Sequence, residues 1–197
     1  MYKIDSDSLL LVARQIQPAA RARVTETSEE ALLVKAVRHG EQEAFARLHS
    51  LYAPMVHGIL LARVPWSEVD DLVQDVFLVV LRKLNTLRDD SAFGAWLAMI
   101  ARNRAMDFHR RKRETEELSE DLATHSRSEA DREAASVLEV ICGLPEAYRE
   151  TLVLRLVEGM TGPEIADRTG LTPASVRVNL HRGMKLLREK LGMEKRV

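Results

Sequence analysis

The stretch Thr161-Gly162-Pro163-Glu164-Ile165-Ala166-Asp167-Arg168-Thr169-Gly170-Leu171-Thr172-Pro173-Ala174-Ser175-Val176 decides the reading of this chain. Thr161 stands three residues before Glu164, the spacing of a capping box, and Pro163 suits a first helical turn. A short helix then runs to Arg168. Thr169-Gly170-Leu171 is a turn, with glycine where left-handed backbone is needed. Thr172-Pro173 repeats the pattern of cap and first-turn proline. Helix, turn and helix at this spacing predict a helix-turn-helix, whose second helix lies in the major groove of DNA. Ala166 is small enough for the two helices to approach closely.

On the second helix Val176, Leu180, Met184, Leu187 and Leu191 recur at 3.6-residue spacing and predict a buried side. The opposite side carries Ala174, Ser175, Val178, Arg182 and Lys185, flanked by Arg177 and His181, with Thr172 at the cap. Arg and Lys there can pair with phosphates or guanine edges. Gly183 is an oddity, since glycine inside a helix costs about 1 kcal/mol relative to alanine.

Outward from this motif, residues 132–197 read as one small domain of four helices. The first ends by Gly143, the second begins at Pro145, and the helix-turn-helix completes the set. Residues 114–131 are rich in acids, Ser and Thr and read as an acidic linker. Residues 29–113 form a second helical domain, and residues 1–28 a polar extension. Sparse Pro and Gly and short β-branched runs make the expected class all-α.

Within 29–113, Ser28 is the expected cap of the first helix and His39-Gly40 its end. A helix from about Glu41 turns Phe45, Leu48, Leu51, Met55, Ile59 and Leu60 inward, with Pro54 a predicted kink. Ser67 is the expected cap of the next helix, whose core stripe is Val69, Leu72, Val73, Val76, Phe77, Val80 and Leu84. Its outward face shows Asp71, Gln74, Asp75, Leu78 and Arg82 beside Asp70. Leu78 is apolar amid charges, which fits either a protein-docking face or a solvated face with one stray leucine. A polar loop, Asn85 to Ser91, precedes a helix from about Ala92 to Arg111 with Phe93, Trp96, Leu97, Ile100 and Phe108 inward. That helix carries Arg102, Asn103 and Arg104 and ends in His109-Arg110-Arg111-Lys112-Arg113. A loop containing Asn85, Asp90 and Ser91 beside so basic a helix could hold unstacked single-strand bases.

The net charge of −1 hides strong segregation. Residues 102–113 are basic, 114–133 mostly acidic and 177–196 basic again, and such blocks create local potentials. The single cysteine, Cys142, excludes a disulfide framework and a cysteine-built zinc site and points to a reducing, cytoplasmic compartment. The apolar run Leu9–Ala13 is too short for a signal-peptide core or a membrane span. No Gly-rich phosphate loop, nucleophile cluster or metal spacing is present; His49 and His57 lack a third ligand. Neither enzymatic activity, cofactor nor metal is expected.

Taken in order, Asp70–Phe77, Phe93–Leu97, Ile100–Asp107, Leu144-Pro145, Glu164–Ala166, Val176 and Leu180–Arg182 resemble the extracytoplasmic-function (ECF) family of RNA polymerase sigma factors. The resemblance spans about residues 30 to 192. It implies a region 2-like helical bundle at 29–113 and a region 4-like helix-turn-helix domain at 132–197. It further implies that Asp70, Asp71, Gln74, Asp75, Leu78 and Arg82 bind core RNA polymerase. Asn85, Asp90, Ser91, Arg102, Asn103, Arg104, Arg110, Arg111, Lys112 and Arg113 would melt and hold the −10 promoter element. Thr172, Ala174, Ser175, Arg177, Val178, His181, Arg182 and Lys185 would read the −35 element. Promoter DNA, core polymerase and an anti-sigma factor are the implied partners, with no membrane insertion. The family often has Ser-Arg where this chain has Val178-Asn179, so one cation is missing from the recognition helix. The alternative reading is a helix-turn-helix regulator acting without core polymerase.

Overall fold

The computed structural model describes residues 23–116 and 129–192, with side chains over 29–113 and 136–192. The start of the polar extension, the middle of the acidic linker and residues 193–197 lie outside the described residues. Among those described, all regular secondary structure is helical. The chain forms α1 (Arg23–Arg38), α2 (Gln42–Leu61), α3 (Trp66–Lys83), 3-10 turns at Leu84–Thr86 and Asp90–Ala92, and α4 (Phe93–Glu116). A second body follows, with α5 (Glu129–Cys142), α6 (Glu146–Leu156), α7 (Gly162–Thr169) and α8 (Pro173–Lys190).

Four local expectations change. α1 begins at Arg23, so Ser28 lies inside the helix rather than capping it. Pro65, with φ −58° and ψ 144°, supplies the extended residue before α3, so Ser67 falls in the first turn and makes no cap bond. Leu51 stays 37% exposed while Tyr52 is buried, because the inward stripe of α2 runs through Leu48, Tyr52, Met55, Val56 and Ile59. The flanks of the predicted linker are helical, since α4 continues to Glu116 and α5 begins at Glu129.

The two bodies share one apolar core. α2 packs on α6 and α4 packs on α7, and buried residues run without a break from Val34 through Leu60 and Leu97 to Leu152 and Ile165. The seam needs small residues. A Cβ on Gly94 would lie 2.9 Å from the Arg168 carbonyl oxygen, and one on Gly58 would lie 2.8 Å from Leu154 Cδ2. Gly183 is explained the same way. It is buried in α8, and a Cβ there would come within 3.0 Å of Leu152 and 3.1 Å of Tyr148. Among the described residues no helix is long and apolar enough to cross a membrane.

Candidate nucleic-acid interface

The helix-turn-helix is built by its caps. Thr161 Oγ1 accepts from the Glu164 amide at 3.4 Å, and the Glu164 carboxylate accepts from the Thr161 amide at 2.7 Å. Burial alone would raise the Glu164 pKa, but hydrogen bonds from the Thr161 hydroxyl and amide, with the charges of Arg168 and Arg155, hold it below the usual value. Gly170 takes the left-handed conformation at φ 74°. Thr172 Oγ1 then accepts from the Ser175 amide at 3.1 Å and starts α8. Val176 and Leu187 are buried on one side of α8. Thr172, Ala174, Ser175, Arg177, Val178, His181, Arg182 and Lys185 are all exposed on the other. The sequence pattern thus yields a continuous polar face with Val178 in its middle.

The second cluster is less open. Arg38 from α1 pairs with Asp90 at 2.6 Å and donates to the Leu84 and Leu87 carbonyls, pinning the loop between α3 and α4. Asp90 is therefore a structural anchor of the loop. Asp89 caps the second turn, accepting from the Ser91 amide at 3.0 Å and the Ser91 hydroxyl at 2.7 Å. Those two bonds lower the pKa of its carboxyl. Asn85, Ser91 and Asn103 are exposed, as are Arg110, Arg111, Lys112 and Arg113. Arg110 also pairs with Asp107 at 3.0 Å.

Arg104 reaches across to α3 and pairs with Asp75. One predicted DNA contact thus neutralises one predicted docking residue. Asp70, Asp71, Gln74, Leu78 and Arg82 remain exposed on the outer face of α3, Leu78 by 50%.

Arg102 points into the seam. Its guanidinium donates to Glu150 through Nε at 3.0 Å and Nη2 at 2.6 Å, and to the Thr169 carbonyl at 3.4 Å. Arg63 pairs with the same carboxylate at 2.7 Å. Burial would raise the Glu150 pKa, yet the two guanidinium groups outweigh it and hold the carboxyl low. A second seam contact joins His57 Nδ1 to Glu158 at 2.6 Å. The hydrogen bond to Glu158 raises the His57 pKa against the opposing effect of burial. Arg168 lies 5.7 Å from the Tyr52 ring centroid and donates to the Leu51 carbonyl.

Arg38, Arg63, Glu150, His57 and Glu158 do not figure among the residues predicted from sequence. A signal was present. Ile59-Leu60-Leu61 and Leu152-Val153-Leu154 are apolar on successive helical faces, the mark of a helix buried on more than one side. The helices that carry those two runs, α2 and α6, pack on each other across the seam.

The sequence pattern described as Sigma-70 region 2 matches residues 42–115, and that described as Sigma-70, region 4 matches residues 134–187. The RNA polymerase sigma factor CarQ of Myxococcus xanthus is 35% identical over 79% of this chain and 93% of its own length. The ECF RNA polymerase sigma-E factor of Haemophilus influenzae is 30% identical over 81% of this chain and 93% of its own. The chain belongs to the ECF family of RNA polymerase sigma factors. This sigma factor also superposes on CnrH, solved in complex with the cytosolic domain of CnrY. The TM-score is 0.61 and the identity 27%, over 85% of this chain and 99% of that one. It shares the fold of the sigma factor RpoE of Bartonella quintana, solved with the anti-sigma factor NepR. There the TM-score is 0.55 and the identity 21%, over 77% and 98% of the two chains. An autonomous helix-turn-helix regulator is not favoured, because residues 42–115 are matched by a sigma-factor region and not by an effector domain.

Proposed function

We propose that this sigma factor docks on core RNA polymerase through the outer face of α3 and directs initiation by melting a −10 element and reading a −35 element. It works in the cytoplasm by differential binding, without bond chemistry of its own. The −35 element lies against Thr172, Ala174, Ser175, Arg177, Val178, His181, Arg182 and Lys185. The −10 element lies against the 84–92 loop and α4. The observation that carries this reading is the exposed face of α8, presented by two capped turns in a chain of the sigma family. Core polymerase holds the two bodies at the promoter spacing, so two weak DNA contacts act at high effective concentration.

Arg102 adds a condition. While it is bound to Glu150 its Nε and Nη2 are committed there, so full use of Arg102 at the −10 element requires the seam to open. The chain alone then binds promoter DNA poorly, and polymerase favours the separated arrangement by its greater affinity for it. An anti-sigma factor is the proposed inhibitor. CnrH, to which this chain is similar, was solved in complex with the cytosolic domain of CnrY, which supports a protein partner of this kind.

Run-off transcription with core polymerase and genomic promoters tests the proposal. Start-site-specific transcripts are expected only when the chain is added. Leu78→Asp should reduce assembly with core polymerase, and Arg182→Ala should weaken −35 use and lower the salt dependence by about one phosphate contact. Duplex binding by the chain alone, with no transcript, would overturn it.

A further inference from the structure

We propose that Val178, supported by Ala174, selects thymine in the −35 element by contact with its 5-methyl group. This deepens the reading of α8 as the −35 helix and rests on it. Val178 is 42% exposed. Its place on the helix is central, with Ala174 and Ser175 one turn before it and His181 and Arg182 one turn after, all exposed. The core does not need it, because Val176, Gly183 and Leu187 are the residues of α8 that are buried within the body. A lone exposed aliphatic residue is ordinary on a protein surface. Here, however, it occupies the middle of the surface proposed to meet DNA, where, Ala174 apart, its neighbours are polar or cationic.

The chemistry of the major groove leaves such a residue one specific partner. Valine has no donor or acceptor for a base edge. Of the groups that the four bases display in that groove, the C5-methyl of thymine is the only methyl, where cytosine has just a C5–H. Ala174 stands one turn away on the same side, so the two residues form a short apolar strip able to cover methyl groups on adjacent base steps. Arg177, His181 and Arg182 around the strip supply phosphate or guanine contacts, which depend on salt. A methyl contact does not, because it releases no counterion.

The experiment uses holoenzyme assembled from core polymerase and this chain, on a promoter selected by that holoenzyme from random −35 sequences. Each −35 thymine is replaced singly by deoxyuridine, which removes only the methyl group. One replacement, or two at adjacent positions, should lower promoter occupancy about fourfold per methyl lost from a buried contact. Val178→Ala should bind the thymine and uracil templates alike, with an unchanged salt slope. If no thymine is methyl-sensitive, or if Val178→Ala keeps the full preference, the assignment of Val178 is wrong. Arg182→Ala separates that failure from a deeper one. If Arg182→Ala weakens occupancy while every thymine tolerates uracil, only the Val178 proposal falls. If neither Arg182→Ala nor the −35 sequence matters, the reading of α8 falls and takes this proposal with it.

Discussion

Arg102 of α4 and Glu150 of α6 face each other across the seam between the two bodies, joined by hydrogen bonds of 3.0 and 2.6 Å. Glu150 is 5% exposed and also holds Arg63. A carboxylate so buried is tolerable only because two guanidinium groups replace its water. The pair also commits Nε and Nη2 of Arg102 to the seam.

Glu150→Gln should destabilise the chain. Removing one member of a buried ionic cluster leaves its partners charged and under-bonded, at a cost of about 3 kcal/mol. Arg63 and Arg102 keep some solvent contact, which places the effect at the low end of the range. Urea unfolding should show a lower midpoint for the variant. An unchanged midpoint would mean that the cluster contributes nothing to the folded chain.

Stability should fall as pH rises above about 6.5. The His57 pKa is raised from its ordinary 6.5 by Glu158, with a further contribution from the Asp70 charge. For a raised histidine the stabilisation is complete below the unfolded value and fades as pH climbs through the folded one. Glu150 acts in the opposite sense. Its pKa lies below the ordinary 4.5, so its contribution is complete above 4.5 and is lost as pH falls through the lowered value. Urea unfolding across this range should show a decline above pH 6.5 in the parent chain and a flatter profile in His57→Gln.

Gly94→Ala should part the two bodies without unfolding either. The new methyl would meet the Arg168 carbonyl at 2.9 Å, and backbone cannot turn aside as a side-chain tip can. Within α4 itself alanine is the better residue by about 0.5–1 kcal/mol. Small-angle scattering should report a larger radius of gyration with helical circular dichroism unchanged. A radius equal to that of the parent would show that the seam accommodates the methyl.

Gly183→Val should destabilise the second body by about 2 kcal/mol, in the range of overpacked cores. Its side chain would press on Leu152 and Tyr148, where a Cβ is already at 3.0 and 3.1 Å. Thermal unfolding should show the loss. A transition temperature equal to that of the parent would contradict the close approach of α8 to α6.

Much of this was legible in the sequence because it is local. Thr161, Glu164, Gly170 and Thr172 set the helix-turn-helix through contacts a few residues apart, and the 3.6-residue pattern assigned the buried and exposed sides of α8. The same periodicity placed Val69, Val76, Phe77 and Val80 in the core of α3. Where local signals competed, they misplaced details. Ser67 and Ser28 are good caps that the chain passes over, and Leu51 is an apolar residue one step off the buried stripe.

What the sequence determined alone was the helical class, the capped DNA-reading motif and the polar faces of α3 and α8, since each follows from neighbours along one helix. Only the tertiary structure decided that Arg102 belongs to Glu150, Arg104 to Asp75 and Asp90 to Arg38. Those partners lie 48, 29 and 52 positions apart in the chain. No periodicity encodes such a pairing. It arises when packing α3 on α4, α1 on the 90–92 turn and the two bodies on each other takes charged groups out of water and leaves each needing the nearest opposite charge.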